Sequence, residues 1–195
     1  MEAKDPTLIR LIVVEDNSHM RKAWCSFIDL HKDMCVLNAF GSCEEALEDH
    51  SVERADVILL DIGLPGMPGT EGVTHFLKKN EDLIIIMATV FEDDHYIFDA
   101  LSNGAIGYLH KKVKPAELIE AVRAAYEGGS PMTAEIARKV TESFHKKRGN
   151  TINEELTERE KDVLTQLSKG NTYSAIADQL HLSIHGVRYH IRNVY

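Results

Sequence analysis

Three stretches of this chain leave little choice of fold. Leu8 to Val14, Val57 to Leu60 and Leu83 to Ala88 are built from Leu, Ile, Val, Met and Ala, with Arg10 as the sole polar interruption. A strand that is apolar on both faces has to be covered on both faces, and that is the situation of a parallel sheet. Val36 to Phe40 and Ile106 to Leu109 are weaker runs of the same kind. Each run is followed by a segment of helical length. Ser18 to His31 spaces Met20, Trp24, Phe27, Ile28 and His31 along one side, and Ser42 to Asp49 opens with a possible capping box, Ser42-Cys-Glu-Glu45. Gly69 to Lys79, Asp93 to Ser102 and Pro115 to Glu127 complete the set, with Pro115 in a first turn that does not need its missing N–H. Five strand–helix units joined by right-handed crossovers place helices on both faces of one sheet. The expectation is an α/β doubly wound, five-stranded parallel domain of the flavodoxin-like type, spanning residues 7–126.

The rhythm then changes. Gly128-Gly-Ser-Pro131 breaks the pattern, residues 132–146 read as a loosely anchored helix, and Lys146-Lys-Arg-Gly-Asn150 is a basic break. Residues 127–152 are therefore expected to be a linker carrying one helix. In 153–195, Thr157-Glu-Arg-Glu160 is a capping box ahead of Val163, Leu164 and Leu167, and Gly170 stops that helix. Thr172 caps a second helix with Ile176, Ala177 and Leu180, and after His181-Leu-Ser183 a third carries Ile184, Val187, Ile191 and Val194 on one face. Three short helices with tight turns make a small all-α helix-turn-helix domain.

The net charge of −9 argues against a nucleic-acid partner until its distribution is considered. Residues 1–125 carry a net −10, whereas the last fifteen residues hold Arg188, Arg192 and three histidines and no acid. A local basic stripe binds phosphates on an acidic chain. Cys25, Cys35 and Cys43 form neither a disulfide framework nor a zinc pattern, which suits a reducing, cytoplasmic setting. The first residues lack the apolar core of a secretory signal, and no run approaches the roughly 18 apolar residues of a membrane span. No membrane partner is expected.

Polar residues collect where the strands end. Glu15 and Asp16 follow the first, Asp61 the third, Thr89 the fourth and Lys111 the fifth. Ligands of open parallel sheets bind outside the carboxyl ends of the strands, at the switch in strand order. Any one of these residues alone would pass as a cap, a turn residue or a solvated charge. Five on one edge would not. Three carboxylates there repel one another unless a cation lies between them, and hard oxygen ligands, with the Gly63 carbonyl as one more, favour Mg²⁺. Asp61 is then a nucleophile toward a phosphoryl donor, Lys111 a neutraliser of the charge on the phosphoryl oxygens, and Thr89 a hydrogen-bond donor to one of them only in the modified state.

These stretches carry a resemblance. Ile12-Val-Val-Glu-Asp16, Asp61-Ile-Gly-Leu-Pro-Gly-Met67 with Gly69 and Glu71-Gly72, Met87-Ala-Thr89 and Gly104-Ala-Ile-Gly-Tyr-Leu-His-Lys111 resemble the receiver domain of two-component response regulators. The resemblance covers residues 8–125. It implies that Asp61 takes a phosphoryl group from a sensor histidine kinase and that Glu15, Asp16 and Asp61 hold Mg²⁺. It also implies that Thr89 and Tyr108 form a switch pair, Tyr108 turning inward as Thr89 moves toward the phosphate. Val90 stands where a smaller residue is frequent, and Lys112 follows Lys111 where proline is common. A phosphatase of the haloacid-dehalogenase type would need Asp-x-Asp after the first strand. Glu15-Asp16-Asn17 stands there, so an enzyme is not expected.

Residues 156–195 resemble the helix-turn-helix of the NarL/LuxR (FixJ-like) family through Leu156-Thr-Glu-Arg-Glu160, Val163-Leu164, Gly170, Ile176-Ala177, Leu180, Ser183, Val187, His190-Ile191 and Asn193-Val-Tyr195. The family continues beyond the Tyr195 position into a fourth helix, so the domain is expected to be truncated before its last helix, with a frayed end. The third helix would enter the major groove, with His185, Arg188 and Arg192 sharing a face and Arg188 as the first candidate for base or phosphate contact. Val187 is expected either in the core or as an apolar base contact. Gly186 replaces a longer polar residue, and Thr172 with nearby N–H groups would meet phosphate. Taken together, the chain reads as a transcription regulator that dimerises on phosphorylation and binds an inverted-repeat DNA site. A module whose helix-turn-helix contacts protein instead is the second alternative.

Overall fold

In the computed structural model, residues 8–91, 93–147, 157–168 and 171–194 are described, with side chains left undescribed at 141–147, 168, 185, 188 and 192–194. The first domain alternates as expected: β1 (Ile9–Val14), α1 (Ser18–Asp29), β2 (Met34–Phe40), α2 (Cys43–Glu48), β3 (Val57–Leu60), α3 (Gly69–Lys79), β4 (Ile84–Thr89), α4 (Asp94–Ser102), β5 (Gly107–His110) and α5 (Pro115–Tyr126). The strands form one parallel sheet in the order β2-β1-β3-β4-β5. Every residue of β3 and β4 is buried, as their composition demands.

Strand alternation divides the core into two layers. Leu11, Val13, Val57, Leu59, Ile86 and Ala88 face α1 and α5, where they meet Trp24, Ile28, Leu118 and Val122. Ile12, Val14, Ile58, Leu60, Ile85 and Met87 face α2, α3 and α4, where they meet Cys43, Val73, Phe76 and Ile97. At the opposite end of the sheet from the acidic residues, Arg10 makes a bidentate pair with Asp56 at 2.9 and 2.8 Å, locking β1 to the entry of β3.

Beyond α5 the chain turns on Gly128 (φ 90°) and returns to the sheet. Tyr108 N–H donates to Pro131 O at 2.9 Å, and Tyr108 and Met132 form a parallel bridge. The segment thus pairs alongside β5 at the sheet edge. It leads into α6 (Ala134–Lys147), whose Ile136 and Val140 are buried in the second core layer beside α4. Its described side chains are anchored where a loosely held helix was expected, because Ile136 and Val140, four residues apart, bury on the surface that α4 supplies.

Three helices follow: α7 (Glu158–Ser168), α8 (Tyr173–Leu180) and α9 (Ile184–Val194). The capping box of α7 forms in full, Thr157 N–H to Glu160 Oε2 at 2.8 Å and Glu160 N–H to Thr157 Oγ1 at 3.3 Å. Val163, Ile176, Ala177, Val187 and Ile191 make their common core. His181, at φ 52°, supplies the left-handed residue that ends α8. The expected helix stop at Gly170 lies outside the described residues.

Candidate phosphoacceptor site and DNA-reading helix

The site forms where β1 and β3, neighbours across the reversal of strand order, release the chain. Glu15 N–H still bonds to Phe40 O at 3.0 Å, and Asp61 N–H to Val14 O at 3.0 Å, so both residues are held by the ends of the ladder. Glu15 is wholly buried and Asp61 nearly so, whereas Asp16 is exposed. Ligand atoms of Glu15, Asp16 and Asp61 lie within 4.8 Å of one another. Lys111, anchored by its N–H to Thr89 O at 2.8 Å, reaches in from β5. Its Nζ stands 2.6 Å from Glu15 Oε2 and 2.8 Å from Asp61 Oδ2, and 5.8 Å from the centre of the Trp24 ring.

The electrostatics follow from this burial. Desolvation pushes the Glu15 carboxyl above the usual carboxylate range, against the pull of Lys111. Burial also works against the Lys111 ammonium, but its hydrogen bonds to Asp61 and Glu15 outweigh that and hold its pKa above the ordinary lysine value. Three carboxylates face one ammonium. The donor set is all oxygen, its excess charge is negative, and it suits a hard divalent cation such as Mg²⁺.

Thr89 is fully buried, and its Oγ1 accepts from Phe91 N–H at 3.3 Å. Tyr108 is already turned inward and fully buried, its hydroxyl donating to Phe91 O at 2.8 Å. This is the inward position that the expected switch gives to Tyr108. The linker at Pro131 and Met132 closes over the edge on which Tyr108 stands. Gly63 lies under Phe91; a Cβ there would come within 3.0 Å of the ring and 3.7 Å of Asp61 Oδ2.

Three supporting residues escaped the reading of the sequence. Glu44 Oε1 accepts from Met67 N–H at 2.7 Å and so pins the loop after Asp61 to α2. Phe91 joins Thr89 to Tyr108 through its backbone. Arg21 reaches back from α1 to the carbonyls of Glu15 and Asp16. All three act on or through main-chain atoms, and no motif spacing announces that.

In the helix-turn-helix, Thr172 caps α8 by accepting from Ala175 N–H at 3.2 Å. Ser183 does the same for α9, accepting from Gly186 N–H at 2.9 Å. Val187 is fully buried between the helices, so it is a core residue and not a DNA contact. The side chains of His185, Arg188 and Arg192 lie outside the described ones. Tyr189, not foreseen, leaves more than half its surface in solvent on α9. Among the described residues, two of the contacts that tie this unit to the rest of the chain bear on the reader. The first is α9 lying against α4, and the second is Tyr173 N–H, in the first turn of α8, donating to Gly128 O at 2.8 Å.

Comparison with known proteins bears on the same segments. Residues 11–123 match the family of response regulator receiver domains, and residues 154–195 match the LuxR family of bacterial regulatory proteins. The transcriptional regulatory protein LiaR of Bacillus subtilis is 30% identical over 188 residues, 96% of this chain and 89% of LiaR. A LuxR-family response regulator from Aurantimonas superposes with a TM-score of 0.66 at 25% identity, over 71% of this chain and 99% of that one. RcsB of Salmonella typhimurium shares the fold, with a TM-score of 0.63 at 18% identity over 94% of this chain and 88% of its own. RcsB is also among the matches as two dimers bound to two parallel DNAs.

Proposed function

The chain belongs to the two-component response regulators with a LuxR-type DNA-binding domain, and on that premise we propose that Asp61 is its phosphoacceptor and the α4–α9 contact its restraint on DNA binding. The observation that carries the reading is the buried Asp61 carboxylate held against Lys111 with Glu15 and Asp16 beside it. In this reading the receiver spans residues 7–126, the linker 127–152 and the DNA reader 153–195, all working in the cytoplasm.

An Asp61 carboxylate oxygen attacks the phosphorus of a phosphohistidine on the sensor kinase. The P–N bond breaks as the new P–O bond forms, and the imidazole leaves with the bond's electrons. Lys111, now on the carboxylates of Asp61 and Glu15, moves to the incoming phosphoryl oxygens and stabilises their charge. Glu15, Asp16, Asp61 and the Gly63 carbonyl would hold Mg²⁺, which withdraws charge from the same oxygens when bound.

The switch then follows the hydrogen bonds already present. When Thr89 Oγ1 turns to donate to a phosphoryl oxygen, Phe91 N–H loses its acceptor. Phe91 also holds the Tyr108 hydroxyl and packs at a tilt against Tyr96 of α4, with ring centroids 4.9 Å apart. A shift there disturbs α4 and the α9 that lies on it, moving a two-state equilibrium toward a freed reader. The Gly128 carbonyl is the second restraint, because it occupies an N–H at a helix start where a DNA phosphate would bind. Thr172, Gly186 and the positions of His185, Arg188 and Arg192 form the DNA-facing set. A homodimer on an inverted-repeat site is the active form, as the RcsB dimers on DNA suggest by analogy.

The test is intact mass after incubation with acetyl phosphate and Mg²⁺, for the wild type and Asp61→Asn. One added phosphoryl group in the wild type alone supports the reading. No addition, or addition to both, refutes Asp61 as acceptor, and steady turnover of a phosphoester would favour an enzyme.

A further inference from the structure

We propose that Arg21 is a positioning residue of the metal site, setting the direction of the Glu15 and Asp16 carboxylates through their own peptide carbonyls. The inference rests on Glu15 and Asp16 being metal-binding groups, and deepens it by naming what aims them.

Glu15 and Asp16 lie in the gap between the last ladder bond of β1 and the first turn of α1. Carbonyls in such a gap have no partner from either element. Arg21 supplies one. Its Nη1 donates to the Glu15 carbonyl and, at 3.3 Å, to the Asp16 carbonyl. The guanidinium is rooted one helical turn away, where Arg21 N–H bonds to Asn17 O at 2.9 Å, and Asn17 itself caps α1 by accepting from His19 and Met20 N–H. The guanidinium lies beside Gly41, where a Cβ would stand 3.4 Å from Arg21 Nη1, in ordinary contact. A charged, planar donor on two successive carbonyls restrains two successive peptide planes, and with them the Cα–Cβ directions on either side.

The two carboxylates need this to different degrees. Glu15 is also steered by Lys111 at 2.6 Å and by Asn17 N–H at 3.2 Å. The Asp16 carboxylate is exposed and takes no hydrogen bond or ion pair among the described residues. Its aim rests on its backbone, and so on Arg21.

Positioning and plain electrostatics predict opposite signs. A guanidinium close to a cation site repels the cation, so removing the charge alone would tighten metal binding. Losing an orienting partner weakens it, typically by about 10–100-fold. The experiment is a Mg²⁺ titration of the whole chain by calorimetry, with the fluorescence of Trp24, the single tryptophan, as a second readout. Wild type, Arg21→Met and Arg21→Lys are compared, with urea melts to show that each is folded. The expected result is a Kd raised about 10–100-fold in Arg21→Met. Arg21→Lys, which keeps the charge and can serve only one carbonyl well, should fall between the two. Unchanged or tighter binding in Arg21→Met overturns the inference while leaving the metal site standing. A wild type that takes up no Mg²⁺ overturns the metal site, and this inference with it. If Arg21→Met does not fold, Arg21→Lys decides: wild-type affinity refutes the positioning role.

Discussion

Gly69→Ala is the substitution on which helix propensity and packing disagree most sharply. Gly69 is the first residue of α3, its φ lies outside the left-handed region, and alanine in a helix is ordinarily better by about 1 kcal/mol. Packing gives the opposite sign. A Cβ at this position would stand 1.8 Å from the Asp61 carbonyl oxygen, 2.8 Å from the Asp61 carbonyl carbon and 3.0 Å from Ile62 Cα. All three are backbone atoms, so no flexible side chain can move aside. Reaching ordinary contact requires α3 and the end of β3 to part by roughly 1.5 Å. Overpacking of this kind costs about 1–3 kcal/mol or more, which offsets the propensity gain of about 1 kcal/mol and leaves a net loss of up to about 2 kcal/mol or more. The Gly69 N–H bond to Ile62 O, 3.0 Å, would stretch in the same movement. The displaced segment carries the proposed nucleophile, and a misplacement of about 1 Å can slow a reaction by about 100-fold. Urea unfolding measures the first effect, and the rate of mass gain with acetyl phosphate measures the second. A Gly69→Ala protein as stable as the wild type and phosphorylated at the same rate would refute the packing argument.

Two further outcomes can be checked with little effort. Burial pushes the Cys43 thiol up to about 12, so it stays protonated at neutral pH; iodoacetamide on the native protein should spare Cys43 until urea unfolds the chain, and native labelling at Cys43 would contradict its burial. Gly128→Ala places a side chain at φ 90° and 3.4 Å from Ser174 N, straining the linker where it holds α8. The unphosphorylated variant should bind duplex DNA more tightly, up to tenfold if the latch weakens by about 1.4 kcal/mol, and equal affinity in fluorescence anisotropy would remove Gly128 from the mechanism.

How far these residues could be read from sequence depends on what they act through. β3 and β4 were legible because central parallel strands are apolar throughout. β2 was read from Val36 and begins at Met34, because an edge strand with one half-open face lacks that continuity. That Glu15, Asp16, Asp61 and Lys111 come together was legible because polar residues that follow parallel strands share one edge of the sheet. Arg21 and Glu44 were not, since each holds main-chain atoms that any residue would offer. Val187 was readable as core or contact, and only the packing of α7 against α9 decides for core.

Tyr108 takes the point further. Its identity was legible, but the cover over its strand comes from a segment more than twenty residues downstream. Gly107, beside it, has no room for a side chain, because a Cβ would meet Pro131 Cγ at 2.9 Å. The closeness of linker to β5 is therefore built into both partners. The same short stretch that covers Tyr108 at Pro131 and Met132 holds the start of α8 through Gly128. On the proposed reading, switch residue and DNA reader share one linker, and the output restraint is built into the sheet edge. Loosening that edge should change the reader, and removing the reader should change the burial of Tyr108.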